Sequence, residues 1–238
     1  MRSRHITNAT NEGPDLVKNG APLLCAGDRL TQPEFHRRYE LYPEKEKFEL
    51  IAGMVFMTPR HRWRHAKYLA QLSLPLGFYE SETPGTEVLN NTTTILGEES
   101  EPQPDLTLRI LAEFGGQSRD TKDGYVEGAA ELLAEIAYSS RAIDLHLKRF
   151  DYQRAGVLEY LVLCVEEEQL HWFRLKSGRH ILPDAQGIYR SRVFPGLWID
   201  GPALLAGEAA RVLHSVRSGL ASPEHAAFVK RLQAAHRE

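Results

Sequence analysis

The chain has 238 residues, 42% of them hydrophobic and 26% charged, enough to bury the core of one full-sized domain. A net charge of -3 and a pI near 6.4 exclude a protein that coats nucleic acid through general basicity, because phosphate neutralisation supplies most of such affinity. Cys25 and Cys164 are too few and too far apart in sequence for a disulfide framework or a thiolate metal site.

Residues 1–28 are dominated by Thr, Asn, Gly and Pro without periodicity and predict a flexible N-terminal tail. No apolar stretch follows the first Arg and His residues, so no secretion signal is expected. The longest apolar run, 157–165, is interrupted by Glu159 and is too short to cross a bilayer. A cytoplasmic, reducing location without membrane contact is therefore expected. Thr31-Gln-Pro-Glu34 reads as a capping box that opens a short helix through Phe35 and Tyr39. Segments 48–51 and 54–57 flank Ala52-Gly53 and predict a hairpin. A helix follows Pro59, with His65, Leu69, Leu72 and Leu76 at helical spacing on one face. Residues 88–96, rich in Thr, read as a strand, and so do residues 105–110, which alternate after Pro104. A charged, Gly-rich loop is expected over 112–129 and a strand over 132–138. A helix over 143–155 should stop at Gly156, which can take the left-handed conformation. Segment 157–165 predicts a strand buried on both faces, joined by the turn at Glu166–Glu168 to an antiparallel neighbour over 170–175 that carries Trp172 into the core. Short strands or loops fill 180–200. Two helices are expected after Pro202, the second opened by Ser222-Pro223-Glu224. This order implies an α/β (α+β) domain around a mixed sheet flanked by helices.

Two acids stand out. Asp105 opens a strand. Glu135 lies inside the apolar run Leu-Leu-Ala-Glu-Ile-Ala, where a carboxylate is costly without a partner. Alternation groups Glu135 with Leu133 and Ala137, opposite the wholly apolar set Leu132, Ala134 and Ile136. Two carboxylates on neighbouring strands make a hard oxygen site suited to Mg²⁺, or to Mn²⁺ in its place. A nearby lysine would complete the minimum for metal-assisted phosphodiester hydrolysis, and Lys148 is the candidate. Asp144, Lys148 and Tyr152 form one polar stripe at i, i+4 and i+8, beside an apolar side given to Leu147 and Phe150.

Pro104-Asp105, Glu135 with Ser139-Ser140, Asp144-x-x-x-Lys148-x-x-x-Tyr152 and Gly156-Val-Leu-Glu-Tyr160 follow one another in this order. With Phe48-Glu-Leu-Ile-Ala-Gly53 and Phe194-Pro-Gly-Leu197, the set resembles the Uma-two family of restriction-endonuclease-like proteins, within the PD-(D/E)XK nuclease superfamily, over roughly residues 30–200. The resemblance implies a restriction-endonuclease-like domain over 29–200, with a C-terminal helical extension, 201–238, packed on the same domain. It implies that Asp105 and Glu135 bind the metal. The superfamily pattern places its lysine two residues after the second acid, which here is Ala137. The resemblance to branches whose lysine has moved to the following helix implies that Lys148 takes that role. Glu49 and His65 enter as accessory residues, Glu49 as a third carboxylate and His65 as a histidine bordering the site.

Each residue also has a plainer reading. Asp105 can cap a turn, Lys148 and Asp144 can be a solvated helix pair, His65 can be a satisfied core histidine, and Tyr152 and Tyr160 can serve packing. A His61/His65 transition-metal pair lacks a third ligand nearby in sequence. The expected function is metal-dependent endonuclease action on nucleic acid, DNA before RNA. Many nucleases that cut both strands work as dimers, so a homodimer is a candidate arrangement, with the helices after Pro202 as its candidate interface. The alternatives are a catalytically inactive nuclease fold used for binding, favoured by Ala137, and a hydrolase of another phosphodiester.

Overall fold

The computed structural model describes residues 17–18, 21–43, 45–58 and 62–236. The architecture is the mixed α/β one expected. A six-stranded sheet runs in the order Arg179–His180, Gln169–Arg174, Glu159–Cys164, Leu132–Ala137, Leu106–Ile110, Thr86–Asn90. Leu132–Ala137 pairs parallel with Glu159–Cys164, and the other neighbours pair antiparallel. A parallel pair needs a crossover, and the helical segment through Ala155 supplies it.

Among the described residues six α-helices complete the frame: α1 (Gln32–Tyr39), α2 (Trp63–Ser81), α3 (Arg149–Ala155), α4 (Gly201–Ala206), α5 (Ala209–Leu220) and α6 (Pro223–Ala235). One sheet face buries Leu132, Ala134, Ile136, Leu161 and Leu163 against Leu72 and Leu76 of α2, Val212 and Val216 of α5, and Phe228 and Leu232 of α6. The other face buries Leu133, Ala137, Tyr160 and Val162 against Leu145 and Tyr152 of the crossover. The alternation read from the Glu135 strand is thus the partition between the two cores. Val212 and Val216 of α5 and Phe228 and Leu232 of α6 pack into the chain's own core. Among the described residues no helix is long and apolar enough to cross a membrane.

Several local expectations give way. Residues 1–16 and 19–20 of the expected tail lie outside the described residues, as does His61. Within the rest of that span Val17–Lys18 pairs with Ala21–Pro22, and Leu24 is buried beside Phe35 and Phe48. Thr31 is the N-cap of α1 but makes no side-chain cap bond. Glu34 turns instead to Arg37 and Arg38, two guanidinium partners that outcompete a backbone amide. The strand expected over 88–96 is broken at Asn91, which has a φ of 50°, a conformation asparagine tolerates. Thr94–Ile95 beyond it pairs with Val126–Glu127, inside the span read as a loop. Three helices follow residue 200 rather than two, because Gly207 in the left-handed region separates α4 from α5. The crossover helix contains a π-helical stretch, Ile143–Lys148. There Leu145 is buried and Phe150 is 60% exposed, so Leu145 takes the packing role expected of Phe150.

Candidate active site

The Asp105 and Glu135 strands run antiparallel, and their ladder pairs Ala134 with Leu106. One step further Asp105 leaves the strand, and its side chain replaces the backbone: Ile136 N–H donates to Asp105 Oδ2 at 2.7 Å. The carboxylate is therefore held beside the residue that follows Glu135. The same Oδ2 meets His65 Nε2 of α2 at 3.0 Å. Glu135 Oε1 accepts from Lys148 Nζ at 3.0 Å and from the Tyr152 hydroxyl at 2.8 Å. Lys148 Nζ also donates to Glu49 Oε1 at 2.9 Å, an oxygen that accepts the Gln103 amide at 2.8 Å as well.

All five residues singled out in the sequence thus converge. Asp105, Glu135, Lys148, Glu49 and His65 are each at most 7% exposed, and all five line one cavity of about 460 Å³. The hairpin Phe48–Ile51/Met54–Met57 delivers Glu49. It is tied to the chain before Asp105 by reciprocal backbone bonds between Leu50 and Glu101. The crossover delivers Lys148 over the Glu135 face of the sheet.

Asp144 and Tyr152, read as solvated and as packing residues, belong to this cluster. Asp144 is 2% exposed, with Oδ1 3.9 Å from Lys148 Nζ and Oδ2 accepting from Ser140 Oγ. Tyr152 is fully buried and keeps its ring edge against Tyr160, 5.1 Å between centroids. The sequence signal for both is the 144/148/152 stripe, which faces inward.

Three carboxyls, Glu49, Glu135 and Asp144, surround one ammonium, and the electrostatics follow. Burial raises the pKa of Asp105, but the hydrogen bond and charge of His65, the Ile136 amide and Lys148 together outweigh it and hold the group below its ordinary value. Burial drives Glu135 well up; Asp105, Asp144 and Glu49 add to this and Lys148 opposes it. Asp144 is pushed up to about 6, chiefly by burial against the opposing pull of Lys148. Burial disfavours the Lys148 ammonium, yet Glu135, Glu49 and Asp144 outweigh it and keep it charged. The last effect competes with the rise at Glu135, since a protonated Glu135 would give up its pull on Lys148. Geometry decides for the ionised pair, because Lys148 Nζ and the Tyr152 hydroxyl both donate to Glu135, whereas a proton on Oε2 would meet no acceptor among the described residues.

Among the described residues no three His, Cys, Asp or Glu side chains converge as a ready-made cage for a metal ion. Asp105 and Glu135 fit the looser arrangement that Mg²⁺ prefers, one or two carboxylates with the remaining positions left to water and phosphate. Oδ1 of Asp105 and Oε2 of Glu135 hydrogen-bond to no described residue, so each acid keeps one oxygen for a ligand.

Residues 33–203 match the family Uma2, described as "Putative restriction endonuclease". Among solved structures, a putative nuclease belonging to DUF820 from Anabaena variabilis is similar, with a TM-score of 0.53 and 13% identity. The match covers 79% of this chain and 99% of that one. At that identity the likeness establishes the fold. No curated protein matches.

Proposed function

This chain belongs to the Uma2 family of restriction-endonuclease-like proteins, and on that premise we propose that it is a metal-dependent endonuclease whose substrate is nucleic acid, DNA before RNA. The observation that carries the reading is the placement of Asp105 beside Glu135 by the Ile136 amide, on a cavity shared with Lys148. Asp105 and Glu135 would hold Mg²⁺ or Mn²⁺. A divalent ion there supplies Lewis-acid stabilisation of the charge that grows on the phosphate.

The chain's own residues account for the remaining work. Lys148 keeps Glu135 ionised and presents a proton donor to the cavity. His65 holds the Asp105 carboxylate through Oδ2 and leaves Oδ1 for the ligand. Glu49 shares the Lys148 ammonium and fixes its direction. The burial of all five excludes water from the polar contacts and strengthens each of them.

The test is calorimetric titration with Mn²⁺ of the wild type, Asp105→Asn and Glu135→Gln. Binding by the wild type that both variants lose is expected. Equal binding in all three, or none in the wild type, would overturn the reading in favour of a silent scaffold.

A further inference from the structure

The outer side of the first turns of α2 carries features that the acidic site does not use. Trp63 is 71% exposed, whereas Trp172 is fully buried. Arg62 and His65, on either side of it in sequence, line the cavity. Met57, 61% exposed, lines the cavity too. No Asp or Glu occurs from Met57 to Tyr79. Arg62, Arg64 and Lys67 rest on the rings of Tyr138, Trp63 and Tyr68, at 5.9, 5.6 and 5.7 Å from the centroids. None of the three is in an ion pair among the described residues, in contrast to Arg109, Arg119, Arg154, Arg190 and Arg211.

We propose that this face of α2, centred on Trp63, docks an unpaired nucleic-acid strand. Trp63 is the stacking platform for one base, and Arg62, Arg64 and Lys67 are the contacts to its phosphates. The proposal deepens the nuclease reading and rests on it. Charge complementarity selects a polyanion: the chain is acidic overall, yet here three cations lie close together in sequence without ion-pair partners among the described residues, and Arg62 lines the cavity. The depth of the acids selects an unpaired strand. Asp105 and Glu135 lie at most 5% exposed on a cavity of about 460 Å³, a volume typical of small-ligand pockets. A strand freed from its complement brings a phosphodiester to acids this deep without distortion of a duplex, as with enzymes that flip bases. Unstacking costs free energy, and an exposed indole next in sequence to the cavity-lining Arg62 restores stacking without regard to base identity.

The test is fluorescence anisotropy of a labelled single-stranded oligonucleotide and its duplex, in EDTA and low salt, with wild type, Trp63→Ala, Trp63→Phe, Arg64→Ala and Lys67→Ala. The single strand should bind more tightly than the duplex. Trp63→Ala should weaken it roughly 10-fold and Trp63→Phe should recover most of that loss. Arg64→Ala and Lys67→Ala should each reduce the slope of log K against log salt by about 0.7. Circular dichroism checks that the variants fold. Unchanged binding in Trp63→Ala, a preference for the duplex, or no binding at all would overturn the docking surface. Mn²⁺-dependent hydrolysis of bis(p-nitrophenyl) phosphate, assayed with wild type and Asp105→Asn, reads the acidic site separately, because so small a diester needs no docking. Hydrolysis without strand binding refutes this inference alone; strand binding without hydrolysis refutes the metal-site reading alone.

Discussion

Lys148 donates to Glu135 Oε1 at 3.0 Å across a parallel βα connection, so a residue of the crossover neutralises an acid of the strand before it. The contact is buried on both sides, with Lys148 5% and Glu135 4% exposed.

Removing one partner of such a pair leaves an uncompensated buried charge, and Lys148→Met should cost about 3–5 kcal/mol at neutral pH. The loss should depend on pH. Without the lysine Glu135 rises further, and a group whose folded pKa lies above its unfolded value contributes stability that is present at low pH and is lost as pH rises through the folded pKa. Urea denaturation of wild type and variant at pH 5 and pH 8 should show the larger deficit at pH 8. A deficit equal at both would show that Glu135 does not respond to Lys148.

Tyr152→Phe removes the second donor to Glu135 Oε1 and keeps the ring against Tyr160. Groups that orient a metal ligand typically change metal affinity by about 10–100-fold. Mn²⁺ titration should show a loss in that range, with a stability cost of about 1.5–3 kcal/mol for a bond to a charged acceptor. A variant that loses stability but binds Mn²⁺ as the wild type does would reduce Tyr152 to packing.

Ala137 occupies the position where the superfamily pattern carries its lysine. It is 1% exposed, in the core that contains Leu133, Leu145 and Tyr152. Ala137→Lys should destabilise the fold, by about 1–3 kcal/mol from overpacking alone, and should not rescue hydrolysis in Lys148→Met. Rescue in the double variant would show that position 137 still opens on the site.

Glu159 is a buried acid with a different purpose. It accepts from Trp172 Nε1, Ser191 Oγ and the amides of Arg192 and Val193, and so pins the Phe194-Pro-Gly loop to the sheet. Burial raises its pKa, against the pull of these four donors. Its folded pKa therefore lies above the unfolded one, and wild-type stability relative to Glu159→Gln should fall as pH rises through that value. Thermal melts of the pair across pH 4–8 measure the difference. A difference flat in pH would contradict the raised value.

The sequence carries much of this arrangement. The alternation around Glu135 separates the two cores, because an acid in an apolar strand must sit opposite the fully apolar side. Asp105 is legible from its place before an alternating strand, and Lys148 from its stripe with Asp144 and Tyr152. The inward direction of that stripe is not legible, because charged and hydroxyl side chains at helical spacing ordinarily face water. What turns it inward is the cluster of acids brought by Glu49 and Asp105, residues 99 and 43 positions upstream of Lys148 in sequence. The capping box fails for a related reason: Glu34 has two arginines within one turn, and local charge outranks the cap. The break at Asn91 is written only in the tolerance of asparagine for positive φ.

The π-helical stretch Ile143–Lys148 has a consequence for how the site could be altered. Such stretches arise where a helix accommodates an extra residue, and each residue of a helix turns the following side chains by about 100°. Deleting a single residue between Ile143 and Leu147 would rewind the segment toward an ordinary helix and swing the ammonium away from Glu135. The strands that present Asp105 and Glu135 would keep their register. The acids and the lysine are thus separable by an indel, since loss of one codon would withdraw the ammonium while leaving both acids on their strands.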